Sequence, residues 1–248
     1  MKVIAVIPAR YDSERLPGKL MKDLCGAPVV VRTFQAVYDS RLFDQILVVT
    51  DSDIILDDLS SRNIPVIKSK KTHQSGSDRI AEAIENYDVD VVINIQADEP
   101  FIDKKALRKM LKAFEKDHQK QVIDVVSLMV RVKDSQRFKN PNEVKVVVDS
   151  NDFALYFSRA PIPFERTKIS KSVFLKHIGV YGFRKSALIE FYNAEQSSLE
   201  QLEKLEQLRY LEMGKKIKMI LTDFHTIGID TIEDLEEARR EFNFNQCR

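Results

Sequence analysis

Apolar and polar positions follow two different patterns along the first half of the chain. Short apolar runs predict β-strands at residues 3–7, 45–50, 65–68 and 89–96. Between and after these runs, apolar residues recur every three or four positions, which predicts helices at 28–38, 53–62, 77–87 and 103–117. Pro28 lies near the first turn of the first helix, and Ser75 or Ser77 is expected to cap the third. Strands that alternate with helices are typical of right-handed crossovers, so we expect a mainly parallel sheet.

The second half of the chain has more strand-like runs. Strands are predicted at 124–132, 144–149, 153–157, 177–183 and 216–221. The polar residues 149–152 predict a hairpin turn between the second and third of these strands. Helices are predicted at 199–213, ending before Gly214, and at 231–242, capped by Thr231 or Asp230. We interpret residues 1–248 as one mixed α/β domain with a β-rich insertion at about 133–190.

The predicted helix at 199–213 has two faces. Leu202, Leu205 and Leu208 point towards one side. The other side carries Glu203, Glu206, Gln207 and Tyr210, at positions i, i+3, i+4 and i+7. This pattern is typical of an amphipathic surface helix.

The chain holds 39 Lys and Arg against 38 Asp and Glu, which gives a net charge of +1. This balance predicts neither a nucleic-acid partner nor attachment to an anionic membrane, so an anion site must come from local clustering. No apolar run approaches the roughly 18 residues that a membrane helix needs. The only cysteines, Cys25 and Cys247, have no metal-ligand spacing and favour a reducing compartment. Because the chain starts directly with a strand, we expect no signal peptide and a cytoplasmic location.

A cationic loop follows the first predicted strand. It contains Arg10, Arg15 and Lys19 but only two carboxylates, Asp12 and Glu14. Ligands of α/β sheets bind at the carboxyl ends of the strands, and Arg and Lys side chains pair well with phosphate oxygens. We therefore favour a triphosphate site here over the alternative, a solvated loop that pairs with its own carboxylates.

Two acidic segments are candidates for a magnesium site. Asp98 directly follows the predicted strand 89–96 in the sequence QADEP, and it either binds a metal or caps the next helix. Asp230 is followed by the sequence TIED, which is an ordinary pattern for the start of a helix. From the residues alone, both interpretations stay open for Asp98, and capping is favoured for Asp230.

Three further patterns are candidates for ligand contacts. The segment HQSGSDR at 73–79 precedes a helix, where it would either read the edge of a pyrimidine or cap the helix. Arg159 follows an aromatic strand and is either a carboxylate clamp or a rim arginine over aromatic rings. His177 and Tyr181 share one strand face, where they reach sugar hydroxyls or are half-buried sheet residues. With only 4 histidines and no paired spacing, a zinc site is not expected.

Residues 8–19, PARYDSERLPGK, resemble the N-terminal signature of the sugar cytidylyltransferases, and above all of the 3-deoxy-manno-octulosonate (Kdo) cytidylyltransferases. The resemblance continues in QADEP, in HQSGSDR, in ALYFSRAPIP at 154–163, in KHIGVYGF at 176–183, in LEQLEKLEQLR at 199–209 and in GIDTIEDL at 228–235. It therefore extends over nearly the whole chain. The related sialic acid enzymes have a looser N-terminal pattern and lack the element at 154–163. Ala97 departs from the family, which usually has Gly at this position.

The resemblance implies both a fold and a reaction. The fold would be α/β, a glycosyltransferase-A-like three-layer sandwich with a mixed, mainly parallel sheet and a small β-rich region for dimerisation and sugar binding. The protein would be a homodimeric, Mg²⁺-dependent nucleotidyltransferase. It would join CTP and Kdo to give CMP-Kdo and pyrophosphate, for lipopolysaccharide biosynthesis.

The resemblance also implies roles for individual residues. Catalysis would involve Arg15, Lys19 and Asp98, and Mg²⁺ would be held by Asp98 and Asp230. The nucleotide-binding residues would be Arg10, Ser13, Arg15, Lys19, His73, Ser75 and Arg79. The sugar-acid-binding residues would be Gln96, Arg159, His177, Tyr181, Glu206 and Gln207.

Alternatives to this function come from the same class and from other classes. In the alternatives from the same class, the substrate is the 8-amino analogue of Kdo or a sialic acid. The sequence around Arg159 argues against a sialic acid but not against the amino sugar. A catalytically inactive CTP-binding regulator is a further alternative, which the presence of Lys19, Asp98 and Asp230 disfavours. A nucleic-acid-binding protein is disfavoured by the net charge and by the lack of an extended basic stripe.

Overall fold

The computed structural model describes residues 1–71, 76–132, 138–166, 174–223 and 228–246. The chain divides into two units, Met1–Lys104 with His225–Arg248, and Lys105–Phe224. We call them the first and the second unit and describe each by itself. The prediction of one domain with an insertion at about 133–190 stays a prediction.

The sheet of the first unit is formed by the apolar runs of the first half of the chain. Its strands are β1 (Val3–Ala9), β2 (Gln45–Thr50), β3 (Val66–Lys68) and β4 (Val91–Asn94). They lie in the order β3-β2-β1-β4, and every pairing among them is parallel. The central strand β1 is buried along its whole length, as its continuous apolar run predicts. Because the strand order reverses between β1 and β4, the carboxyl ends of these two strands form the usual ligand position of an open α/β sheet.

Helices form at each predicted position, and Lys185–Asn193 forms a further helix that was not predicted. The helices are α1 (Val29–Ser40), α2 (Asp53–Ser61), α3 (Gly76–Ile84), α4 (Lys104–Lys116), α5 (Lys185–Asn193), α6 (Ser198–Glu203), α7 (Gln207–Glu212) and α8 (Ile232–Gln246), with a short 3₁₀ turn at Lys19–Met21. Pro28 directly precedes α1, a position that needs no N–H donor. Ser77, one of the two predicted caps of α3, lies inside that helix and is not its cap, whereas Ser75, the other, lies outside the described residues. None of the helices in the described ranges is both long and apolar enough to cross a membrane.

The second unit contains all five predicted strands of the second half. They are β5 (Val125–Val132), β6 (Lys145–Val148), β7 (Ala154–Ser158), β8 (Phe174–Arg184) and β9 (Ile217–Leu221). β5 pairs antiparallel with β8 and parallel with β9, and β6 forms the predicted antiparallel hairpin with β7. Asp149 makes the turn of this hairpin, since its side chain accepts hydrogen bonds from the backbone N–H groups of Asn151 and Phe153. The chain thus has the mixed, mostly parallel α/β fold that the resemblance implies.

The predicted continuous helix at 199–213 is wrong. The chain leaves the helix at Lys204, whose φ of 53° is left-handed, and α7 starts only at Gln207. Glu200 and Arg209 form a buried ion pair across this break, with N–O distances of 2.6 Å. Nine residues along one continuous helix would separate them by about 14 Å, so the pair requires the break. The predicted faces fail for the same reason, because Leu202 is 80% exposed whereas Gln207 is buried.

Candidate active site

Lys19 lies at the centre of a charged cluster in the first unit. Its Nζ atom donates hydrogen bonds to the carboxylates of Asp98 and Asp230, the latter at 2.9 Å. Lys19 opens the 3₁₀ turn that follows Gly18, a residue with a left-handed φ of 64°. Asp98 comes from the segment after β4, and Asp230 from the segment before α8. The structure therefore brings together three residues that are widely separated in sequence.

Arg15 extends this cluster. Its Nη2 atom lies 2.7 Å from Asp230 Oδ2, so that Asp230 contacts two cations. Burial opposes ionisation of Asp230, but the hydrogen bonds and charges of Lys19 and Arg15 outweigh it and lower the pKa of Asp230. Burial likewise opposes the charge of Lys19, but Asp98 and Asp230 outweigh it and raise the pKa of Lys19. Lys19 and Asp230 are therefore ionised at neutral pH.

The start of α8 explains how Asp230 remains available to these cations. Thr231 caps the helix, since its Oγ1 atom accepts a hydrogen bond from the N–H of Asp234 at 3.2 Å. In return, Asp234 Oδ2 accepts hydrogen bonds from the backbone N–H groups of Asp230 and Thr231, at 3.0 and 2.8 Å. This is the reciprocal arrangement of a capping box, with Asp in place of Glu. Of the two predicted caps, Thr231 is confirmed, and the Asp230 side chain points to Lys19 and Arg15 instead.

Glu99 is a member of this region to which the sequence interpretation gave no role. Burial, together with the negative charges of Asp98 and Asp230, raises the pKa of Glu99 to about 7. Gly228 lies against it, because a Cβ atom at that glycine would be 4.0 Å from Glu99 Cγ. A sequence signal for Glu99 was available, because it is next to Asp98 directly after a buried strand. Two adjacent carboxylates in such a position rarely ionise independently.

Ala97 occupies its position without backbone strain. It is not among the residues with positive φ, so the conformation there does not require glycine. Its side chain is buried, and its carbonyl oxygen accepts a hydrogen bond from Thr33 Oγ1 at 2.8 Å. This bond ties the segment that carries Asp98 to helix α1.

The loop after β1 is not neutralised by its own carboxylates. Within the described part of the chain, neither Asp12 nor Glu14 forms an ion pair, and Arg15 contacts Asp230 instead. Arg10 is exposed and Ser13 is half-buried. The alternative in which the loop pairs with its own carboxylates is therefore wrong, although much of the loop is exposed.

The predicted base-binding segment is only partly described. His73 and Ser75 lie outside the described residues. Arg79 is 5% exposed and donates to Asp51 Oδ2 at 2.5 Å, which joins α3 to the end of β2. Asp51 was missed in the sequence, although it directly follows a strand as the cationic loop does. A nucleotide-binding role for Arg79 stays a prediction.

Of the predicted sugar-acid residues, Gln96 belongs to the first unit and the other five to the second. Gln96 is half-buried, and its carbonyl oxygen accepts a hydrogen bond from the N–H of Glu99. Arg159 directs its guanidinium at three backbone carbonyls, those of Pro141, Glu203 and Lys204. These contacts fix Arg159 at the break between α6 and α7.

His177 and Tyr181 lie close together, as predicted from their shared strand face. Their ring centroids are 5.4 Å apart, and the ring of Phe157 lies 5.1 Å from that of His177. Burial lowers the pKa of His177 to about 3, so the imidazole is neutral at pH 7. Burial and, to a lesser extent, the negative charge of Glu206 raise the pKa of Tyr181. Gln207 is buried, and its Nε2 atom has no hydrogen-bond partner among the residues described.

The fold and the site together define a class. A parallel α/β sheet with lysine, arginine and paired carboxylates at its switch point is typical of enzymes that bind nucleotide phosphates. The family model described as cytidylyltransferase matches residues 4–217.

Relatives and solved structures narrow this class. The chain is 54% identical to the 3-deoxy-manno-octulosonate cytidylyltransferase of Christiangramia forsetii, over 96% of each chain. It is also 54% identical to the protein of the same name from Flavobacterium johnsoniae, over 96% of this chain and 98% of that one. A solved structure of CMP:2-keto-3-deoxy-manno-octonic acid synthetase complexed with CTP superposes with a TM-score of 0.91 at 32% identity, covering 99% of this chain and 100% of the other. The chain belongs to the 3-deoxy-manno-octulosonate cytidylyltransferase family.

More distant structures share the fold alone. The 4-diphosphocytidyl-2C-methyl-D-erythritol synthase of Anaerococcus prevotii superposes with a TM-score of 0.62 at 19% identity, covering 98% of this chain and 96% of the other.

Proposed function

We propose that this protein transfers the CMP part of CTP to 3-deoxy-manno-octulosonate, giving CMP-Kdo and pyrophosphate. The observation that carries the proposal is the position of Lys19 between Asp98 and Asp230, beside the carboxyl ends of β1 and β4. It is supported by family membership and by the CTP named in the complex of the similar synthetase.

In this reaction the anomeric hydroxyl of the sugar acid attacks the α-phosphorus of CTP in line. A new C–O–P linkage forms, the bond from the α-phosphorus to the bridging oxygen breaks, and pyrophosphate leaves with that electron pair while the hydroxyl proton passes to solvent. Negative charge develops on the α-phosphate oxygens and on the leaving group. Lys19 and Arg15 are the cations placed to offset it. Because Asp98 and Asp230 hold Lys19 before substrate binds, little reorganisation is needed during reaction.

The residues around Lys19 also fit the Mg²⁺ ion that the resemblance implies. Mg²⁺ is commonly bound by one or two carboxylates together with substrate phosphates. Asp98 and Asp230 supply such a pair. Both carboxylates accept hydrogen bonds from the Nζ atom of Lys19, so they lie close enough together to share one cation. Among the described side chains, no group of three or more His, Cys, Asp or Glu is placed to hold a metal, so substrate oxygens would complete the shell. We propose that these two carboxylates hold the ion, which when bound would polarise the phosphoryl oxygens as a Lewis acid.

The test is Mg²⁺-dependent release of pyrophosphate from CTP with Kdo, 8-amino-Kdo and a sialic acid offered in parallel. We expect the highest kcat/KM with Kdo. A higher value with another sugar acid would reassign the substrate. Binding of CTP without pyrophosphate release in any arm would contradict an enzymatic function and favour the regulator.

From the family resemblance we further propose a cytoplasmic homodimer that serves lipopolysaccharide biosynthesis. Light scattering should give twice the mass of the chain in solution. A monomer at working concentration would contradict the dimer without affecting the proposed reaction.

A further inference from the structure

Strand β8 is irregular opposite Ser127. Ser127 on β5 pairs with Tyr181, but the next residue, Leu128, pairs with Ile178. Gly179 and Val180 therefore have no counterpart on β5 and form a bulge. Because a bulge takes backbone groups out of the regular ladder, carbonyl oxygens here need other donors.

The hydroxyl of Ser127 meets three potential partners at this bulge. Its Oγ atom lies 2.9 Å from the carbonyl oxygen of Val180 and 3.2 Å from that of Ile178. It also lies 2.9 Å from Nε2 of His177, and the Ser127 residue is fully buried. No solvent is therefore available to replace a missing hydrogen bond.

Proton counting determines the direction of the bond to His177. A serine hydroxyl has a single proton, and carbonyl oxygens only accept hydrogen bonds. If Nε2 carried no proton, three acceptors would compete for that one proton and two of them would face Oγ lone pairs. If Nε2 carries the proton, it donates to Ser127 Oγ and the hydroxyl proton goes to a carbonyl, so both contacts at 2.9 Å are satisfied.

This assignment also determines the protonation state of the other ring nitrogen of His177. A neutral imidazole protonated at Nε2 has a bare Nδ1, which is a hydrogen-bond acceptor. Nδ1 makes no hydrogen bond to any residue that the structure describes. Such an acceptor favours a hydroxyl donor and repels a carboxylate, so His177 would not recognise the acid group of a ligand.

We propose that Ser127 is a positioning residue that holds His177 in the Nε2–H tautomer, so that Nδ1 accepts a hydrogen bond from a hydroxyl group of the sugar acid. The sugar part of this inference rests on the proposed function. The tautomer part rests on the contacts of Ser127 alone.

The first test is ¹⁵N NMR of the ring nitrogens of His177 in the full-length wild-type protein at pH 7 without ligand, assigned by comparison with His177→Gln. We expect a protonated Nε2 and an unprotonated Nδ1. A protonated Nδ1, or an imidazolium, would overturn the tautomer. This measurement needs neither turnover nor a Ser127 variant, so it stands if the proposed function fails.

The second test is the kinetics of Ser127→Ala. Removal of the hydroxyl should give a mixture of tautomers and raise KM for the sugar acid about tenfold, with KM for CTP within twofold. The matched control is Ser40→Ala, which removes another buried hydroxyl, one that donates to the carbonyl of Val37 at 2.6 Å. A sugar KM that rises equally in both variants, or in neither, would overturn the positioning role. If Ser127→Ala does not fold, the ¹⁵N spectrum with and without Kdo decides, since an Nδ1 resonance unchanged by saturating Kdo would overturn the contact.

Discussion

At the scale of single residues, Lys19 is the centre of the candidate site. Its side chain is 13% exposed, and it contacts two carboxylates that come from distant parts of the chain. A charge in such a partly buried position interacts more strongly with phosphate than an exposed lysine would. Loss of this charge should therefore affect the reaction more than the fold.

Replacement of this charge gives the first prediction. Lys19→Met should lower kcat for pyrophosphate release by about a hundredfold or more, because a donor aimed at developing charge is lost. KM for CTP should change less. Steady-state kinetics at saturating sugar acid measure both, with Lys22→Met as the control in the same segment. A kcat within twofold of the wild type would refute the role of Lys19.

The second prediction concerns the proposed metal ligands. Asp98→Asn keeps the size of the side chain but removes its charge, so turnover should fall by about a hundredfold or more and no longer respond to Mg²⁺. A titration of initial rate against Mg²⁺ measures this. The control is Asp57→Asn, an exposed position on α2. Wild-type dependence on Mg²⁺ in Asp98→Asn would rule out the assignment.

His177 gives a pH-dependent prediction. Burial lowers its pKa in the folded state to about 3, whereas the unfolded imidazole titrates near its ordinary value of about 6.5. The unfolded state therefore binds more protons between these values, and the free energy of unfolding contributed by His177 decreases as the pH falls below about 6.5.

The expected loss is about 2 kcal/mol between pH 8 and pH 5. Urea unfolding of wild type and His177→Gln at both pH values measures it, because the variant lacks this proton uptake. Equal loss of stability in the two proteins would contradict the prediction.

At the scale of elements, the break between α6 and α7 depends on a buried charge pair. Arg209 is held by Glu200 and also donates to the carbonyl oxygens of Phe191 and Ala194. A residue with high helix propensity at position 204 would favour a continuous helix. A continuous helix would separate Glu200 from Arg209 and so break their ion pair. The pair therefore stabilises the break, and the break in turn provides the carbonyls that hold Arg159.

Removal of one partner tests this coupling. Glu200→Ala should lower the free energy of unfolding by about 3–5 kcal/mol, because it leaves Arg209 buried without its counter-charge. The matched control is Asp58→Ala, which removes the half-buried i,i+4 partner of the exposed Arg62 and should cost less than about 1 kcal/mol. Urea denaturation of both variants gives the comparison. Similar losses in the two would show that the buried pair does not stabilise the break.

At the scale of the whole molecule, the predicted ligand contacts divide between the two units. The predicted nucleotide-binding residues belong to the first unit, and five of the predicted sugar-acid-binding residues belong to the second. We therefore expect CTP to order part of the first unit and the sugar acid to order part of the second unit.

Amide hydrogen exchange makes this division testable. CTP should slow exchange in the loop at residues 10–19 of the first unit, because bound ligand stabilises the state that binds it. Kdo should slow exchange in the second unit near His177 and Tyr181. Heat-treated, non-binding protein is the control for both. Protection by CTP only in the second unit would refute the assignment of nucleotide residues.

The sequence by itself determined most of the elements and the family. Periodic apolar runs are local signals, so β1, β2 and the β6–β7 hairpin were predictable from neighbouring residues. The motifs around Lys19 and Asp98 carried the resemblance that the comparisons confirm.

The tertiary structure decided what depends on contacts between distant residues. The break at Lys204 follows from a charge pair that helical periodicity does not register. The position of Asp230 beside Lys19 and Arg15 brings together distant parts of the chain, and the raised pKa of Glu99 depends on burial and on two other carboxylates. Electrostatic and hydrogen-bond energies are set by distances in space, and a sequence pattern reports only distances along the chain.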